Sequence, residues 1–223
     1  ITKYGVGSSY LFAASGSLVG LGLLWLVKGN FQASSQQEPF LQATSQGLKY
    51  IWGAINIRGL LLLSLFMEAF GLSHLVMMPV MARDVLNVGA TGLGYLSAAS
   101  GIGSTLSTLA VASLGDFKSK GALLTGTAIC AGVSLVLFAF SPWFAVSLVM
   151  VALAGGSIMA YDVTMGTMLQ LLSYDEMRGR VLGIYGLTFG FTSVGGFFAG
   201  SVATVLSAPI AVATGGIIIV GYV

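Results

Sequence analysis

The 223 residues are 56% hydrophobic and 7% charged, with a formal net charge of +2 and a mean hydropathy of +0.95. Soluble domains carry about 25% charged residues, so this chain cannot cover a soluble globule, and so small a net charge leaves no electrostatic footprint for nucleic acid. The apolar residues come in unbroken runs of membrane-spanning length and do not alternate as the strands of a barrel do; the expected fold class is an all-α membrane protein of about seven transmembrane helices.

The first predicted span is Ser8–Val27. The linker Gly29–Asn56 follows, and its Gln- and Ser-rich part, Asn30–Gln46, should be flexible. Phe40–Ile55 sets Leu41, Leu48, Trp52 and Ile55 on one helical face, the pattern of a short helix lying in the membrane interface; a solvated linker is the plainer alternative. The second span is Ile57–Val80, with Pro79 near its end, where proline costs least. Thr91–Leu114, Gly121–Phe140, Trp143–Leu172 and Val181–Leu206 are the next four, the fifth span being long enough to tilt or project. The seventh begins near Pro209 and runs to Val223, shorter than the ~20 residues a crossing needs, and reads as a truncated span. The organisation expected is a first helix (1–28), a linker with an interfacial helix (29–56) and a six-helix bundle (57–223).

Basic residues orient these spans. Taken in order, they put Lys28, Lys49, Arg58, Lys118, Lys120, Arg178 and Arg180 on one side and Lys3 and Arg83 on the other. Lys and Arg concentrate on the cytoplasmic side, so the linker, Gly115–Lys120 and Ser173–Arg180 are expected inside, and Arg83–Gly89, Ser141–Pro142 and Ser207–Pro209 outside.

Two spans carry stripes of small residues. Gly94, Ser97, Gly101, Ser104 and Thr108 lie on one face of the third, and Gly179, Gly183, Gly186 and Gly190 on one face of the sixth; Gly196 and Gly200 add another pair. Small residues let helix backbones approach closely in lipid, where no hydrophobic drive pairs helices. The stripes fit either packing within one bundle or a seam against another, moving bundle.

Two carboxyl groups fall inside spans. Glu68 is about 15 Å along its helix from Arg58, at 1.5 Å per residue, and Asp162 is at similar depth. An anion there costs at least about 2.5 kcal/mol, so such residues face a cavity or a partner and often relay protons. Glu68 shares a face with Ser64, Gly71, Leu75 and Met78; Asp162 shares one with Gly155, Met159, Gly166 and Gln170. These mixed, Met-bearing faces suit an adaptable pocket, with Glu68 and Asp162 as candidate proton-coupling or cavity residues and Ser64, Gly71, Met78, Met159, Gly166 and Gln170 as candidate lining. Structural hydrogen bonding between helices is the competing role. His74 alone reads as a hydrogen-bonded interhelical residue. No Cys/His/acid cluster has metal spacing, no phosphate-cradling glycine loop occurs among the 32 glycines, and the serines lack a nucleophile elbow; no metal, cofactor or enzyme chemistry is expected.

The turns carry a family resemblance. Leu114-Gly115-Asp116-Phe117-Lys118-Ser119-Lys120-Gly121 and Tyr174-Asp175-Glu176-Met177-Arg178-Gly179-Arg180-Val181 resemble turns of the major facilitator superfamily, in the branch of enterobactin exporters and other secretion-type efflux proteins. Ala82-Arg83-Asp84-Val85-Leu86, Gly89-Ala90-Thr91-Gly92-Leu93-Gly94 and Gln46-Gly47-Leu48-Lys49-Tyr50 extend the resemblance in the same order over nearly the whole chain. It implies twelve spans in two six-helix halves, of which this chain resembles the last helix of the first half, the central linker and the second half. It also implies that Glu68 and Asp162 line a central cavity, and that Asp116, Lys118, Asp175, Glu176, Arg178 and Arg180 form cytoplasmic gating turns. The function implied is part of a proton-coupled exporter of small amphipathic molecules, of drug or siderophore type, in a bacterial inner membrane. Its partners would be the lipid bilayer, the missing N-terminal half or other membrane subunits, and the substrate. The alternative is a non-transporting subunit or assembly factor within a larger membrane complex.

Overall fold

The computed structural model describes residues 5–26, 40–115 and 119–223, and every regular element among them is helical. The helices are α1 (Gly5–Leu26), α2 (Phe40–Gly53), α3 (Ile55–Val85), α4 (Gly89–Ser113), α5 (Lys120–Ala139), α6 (Phe144–Leu172), α7 (Asp175–Val205) and α8 (Ala208–Tyr222). By length and hydropathy α3, α5, α6 and α7 can each cross a membrane; α8 and the Ala14–Leu24 part of α1 are shorter apolar segments. The 25-residue α4 is long enough to span at ~1.5 Å per residue, but its glycines, serines and threonines dilute its hydropathy. The chain divides into two units, Ile1–Glu38 with α1, and Pro39–Val223 with α2 to α8.

Two helices outrun their expected ends. α3 does not stop at Pro79 but continues to Val85. Its last turn widens to π-type spacing, and Leu86 N donates to the Met81 carbonyl at 2.9 Å. Proline within a transmembrane helix is tolerated where local wide turns and neighbouring helices restore the backbone bonds. The chain then reverses through Asn87 and Gly89, both in the left-handed region at φ 53° and 61°. Likewise, the turn expected over Ser173–Arg180 contracts to Ser173 and Tyr174, because α7 already begins at Asp175. Asp175 and Glu176 occupy its first turn, where carboxylates meet the positive end of the helix dipole.

In the second unit α6 is the central helix: it packs against α4 on one side and α5 on the other, and α8 closes onto α5. α3 packs against α6, α7 and α8, and α2 lies on the start of α7. The closest approaches occur at glycines. A Cβ on Gly103 of α4 would run into the Ala152 carbonyl of α6, and one on Gly156 would meet the Gly103 carbonyl at 2.9 Å. Gly132 and Gly216 face each other's carbonyls in the same way between α5 and α8. This is small-residue packing as lipid-embedded bundles require it, but on other residues than the stripes read from sequence. An added Cβ at Gly94, Gly101, Gly183, Gly186 or Gly190 meets nothing within 4 Å, and Ser97 is exposed, its Oγ reaching the Met78 sulfur at 3.7 Å. Of the α4 stripe, Ser104 does join the seam to α6, donating to the Gly155 carbonyl at 3.0 Å.

The orientation is open to a direct check. In a Cys130→Ala background, single cysteines at Asn87 and Ser119, both exposed and at opposite ends of α4 and its flanking turns, should respond oppositely to an impermeant maleimide applied to intact cells. Labelling at 87 with protection at 119 is the expected result; the reverse would invert the membrane orientation.

Candidate functional site

Glu68 sits in a second wide turn, Met67–Gly71, in the middle of α3. Such π-type turns insert an extra residue into the helix and recur at functional sites. The turn is held from outside by glycines. Gly195 of α7 lies directly under the Ala69 carbonyl, and a Cβ on Gly215 of α8 would come within 2.9 Å of the Phe70 carbonyl. Ser73 returns a hydroxyl to the Phe70 carbonyl at 2.6 Å, and Ser64 does the same for Leu61 at 2.8 Å. The backbone around Glu68 is therefore fixed while its side chain is sent into the bundle, where it is 1% exposed.

The structure brings the two sequence-predicted carboxyl groups together. Glu68 of α3 and Asp162 of α6 approach within the range of side-chain coupling, and Tyr185 of α7 approaches Asp162. These approaches are loose. Both Glu68 oxygens, Asp162 Oδ1 and the hydroxyls of Tyr161 and Tyr185 are buried without a hydrogen-bond partner among the described residues; the groups are neighbours without formed bonds. Among the described residues no Lys or Arg acts on either carboxyl group. An acid pair without a cation in an apolar bundle is costly as two anions, so the arrangement can exchange a proton, bind a cation or accept hydrogen bonds from a ligand.

His74 belongs to the same region. Its Nδ1 donates to the Gly71 carbonyl at 2.6 Å, since a carbonyl oxygen can only accept. Nε2 is buried without a partner. His74 and Asp162 share the wall of a cavity of about 230 Å³ with Ser100, Ser104, Met159 and Phe189, between α3, α4, α6 and α7. The hydrogen bond expected of His74 is there, but to its own helix and not across to another. Neither tyrosine, nor the place of His74 on this cavity wall, was legible from sequence. A usable signal was Tyr161 and Tyr185 themselves: transmembrane tyrosines favour the membrane interfaces, and one at mid-span needs a polar neighbour.

The expected lining residues divide. Met159 lines the cavity. Ser64, Gly71 and Met78 are packed inside the bundle, Gly71 against Met67, Ile158 and Ile219. Gly166 has open space beside it, and Gln170 is exposed near the end of α6. The turn residues divide too. Asp116 and Lys118 lie outside the described residues. Arg178 pairs with Asp175 at 2.7 Å and donates to the Gln170 carbonyl at 3.1 Å, a cation on the C-terminal end of α6. Arg180 bonds the Gln46 side-chain oxygen of α2, Gly47 packs on Arg180 and Ile184, and Tyr50 meets the Tyr174 ring at 6.0 Å. Glu176 is exposed. These contacts pin α2 to the start of α7. Among the described residues no three potential metal ligands come together.

A multi-pass bundle of long apolar helices with an acid pair in its interior defines an integral membrane protein. The profile of the family described as transmembrane secretion effector matches residues 1–222, and the chain belongs to that family, within the major facilitator superfamily; it is a transporter family and not an enzyme family. The chain is also similar to the multidrug efflux pump Tap of Mycolicibacterium fortuitum, at 26% identity over 179 residues, covering 80% of this chain and 42% of the pump. It thus spans about two fifths of the length of that relative. No solved structure matches.

Proposed function

We propose that this chain forms part of a proton-coupled exporter of small amphipathic molecules in a bacterial inner membrane, with Glu68 and Asp162 carrying the coupling proton. The observation that carries this reading is the meeting of Glu68 and Asp162 inside an apolar bundle, beside a cavity and with no cation among the described residues acting on them. Charge there is costly, so proton occupancy and substrate occupancy compete for the same ground: a substrate entering beside the pair changes the cost of its ionisation, and a proton leaving the pair changes the affinity for substrate. The largely apolar wall, with Met159 and Phe189, suits amphipathic molecules of varied shape, in line with the relative's name as a multidrug efflux pump. In the working transporter a second bundle faces the open small-residue stripes of α4 and α7, and the two rock about the site.

The second reading, a non-transporting subunit, is favoured by those same open stripes if other membrane chains cover them. An efflux assay on the complete protein separates the two. Vesicles preloaded with a fluorescent amphipathic dye should expel it when a pH gradient is imposed, and a protonophore should stop the export. Dye release indifferent to the gradient would remove the proton-coupled reading.

A further inference from the structure

A second cavity, of about 330 Å³, opens between α2, α3 and α7. Its wall is apolar: Leu48 and Trp52 come from α2, Leu62 and Leu65 from α3, Leu187 and Phe191 from α7. Leu62 and Leu187 are 48% and 67% exposed, so the groove opens outward along the helices and not into the bundle. Among the described residues, the single charged one on its wall is Arg58. The Arg58 guanidinium lies over the Trp52 ring, 5.5 Å from its centroid, and Nη1 donates to the Trp52 carbonyl at 3.4 Å. The ion pairs seen among the described residues, Arg83–Asp84 and Arg178–Asp175, do not involve Arg58, and none of the described residues lining the groove is a carboxylate.

The position of the groove says what can fill it. Arg58 is in the first turn of α3, at the end of the bundle that also carries Lys49, Arg178 and Arg180. The positive-inside asymmetry makes this the cytoplasmic end, where the leaflet is rich in anionic lipid. Trp52 is 64% exposed, as an aromatic at the headgroup level would be. From Arg58 to Leu65 the α3 wall is about 10 Å long, at 1.5 Å per residue, and it descends toward the hydrocarbon. A cation at headgroup level above an apolar channel complements a molecule with a phosphate at one end and a hydrocarbon chain at the other. A soluble anion would leave the channel unfilled, and an uncharged apolar ligand would leave Arg58 without an anion. We propose that this groove binds one anionic phospholipid of the cytoplasmic leaflet, its phosphate on Arg58 and one acyl chain along α3 and α7. Such a lipid would brace α2, which touches both helices.

Trp52 is a built-in reporter. In the complete protein, with Trp25, Trp143 and any other tryptophan replaced by Phe, Trp52 fluorescence would be read in vesicles containing phosphatidylglycerol or phosphatidylcholine with the same brominated acyl chains. At equal mole fraction, the phosphatidylglycerol should be preferred about fivefold at the quenching site, the factor one arginine near the surface contributes. Arg58→Gln should abolish the preference and Arg58→Lys should retain it. Equal quenching by both lipids, or an unchanged preference in Arg58→Gln, overturns the proposal. Absence of quenching by either lipid also overturns it, and would mean that another protein segment or a second copy fills the groove. If Arg58→Gln does not fold, the headgroup preference of the Arg58-containing protein and its retention in Arg58→Lys still decide.

Discussion

Glu68→Gln is expected to reduce gradient-driven efflux by the complete transporter to the leak of protein-free vesicles. Glutamine keeps the size of the side chain and an acceptor oxygen, so the wide turn at Met67–Gly71 and the packing around it should survive. What it removes is the ability to gain and lose a proton. Glu68 is the better buried of the two acids, at 1% exposure, and neither of its oxygens has a formed hydrogen bond to stabilise a permanent anion. The structural alternative, in which Glu68 only ties α3 to α6, makes a different prediction: Gln could serve as such a tie, and efflux would persist at the normal rate. Asp162→Asn should weaken coupling less severely, since Glu68 remains to carry the proton. The measurement is dye efflux under an imposed pH gradient, with substrate binding followed in parallel. Normal gradient-driven rates in Glu68→Gln exclude the residue as the coupling site, and retained binding with lost efflux separates lost coupling from a lost site.

The depth and approximate rotation of Glu68 and Asp162 were legible because helical periodicity is strict: a charge at a known distance from a basic helix end has a known height. Their meeting was not legible, since it depends on how α3 and α6 are rotated and offset, which no local pattern states. Gly71 and Met78, placed on the Glu68 face by uniform helix spacing, are packed inside with Glu68 and Ser64, and the wide turn at Met67–Gly71 interrupts that spacing. The helices themselves were legible from hydropathy, apart from their ends. α3 passes through Pro79, and α7 starts six residues before Val181, because charged and proline residues at a membrane boundary read as loop while the backbone can still close its hydrogen bonds. The glycine stripes show the same limit. Spacing identified faces able to pack closely, but Gly103, Gly155 and Gly156 make the α4–α6 seam, about one residue's rotation away from the Gly94–Gly101 stripe.

That division among glycines leads to the other large expected effect. Gly195→Val should prevent the bundle from assembling, because the first carbon of the new side chain would occupy the place of the Ala69 carbonyl. The obstacle is backbone, held in the same turn as Glu68, and cannot swing aside as a side chain could. α7 would have to part from α3, breaking the contact that fixes the carboxyl pair. Overpacking that moves backbone costs about 3 kcal/mol or more, a large share of the stability of any domain. The expected result in detergent is loss of the monodisperse species and a collapse of the thermal transition. Gly101→Val and Gly186→Val are the controls, since their added carbons meet open space within this chain; each should leave thermal stability within about 0.5 kcal/mol of the parent when the chain is purified alone. In the complete transporter the same two substitutions should behave differently. If a second bundle closes against these stripes, a valine there forces the backbones apart and efflux should fall while the protein still folds. Unaltered efflux in both stripe variants would show that these faces meet lipid and not a moving partner, and a well-folded Gly195→Val would show that α7 does not pack on α3 at this point.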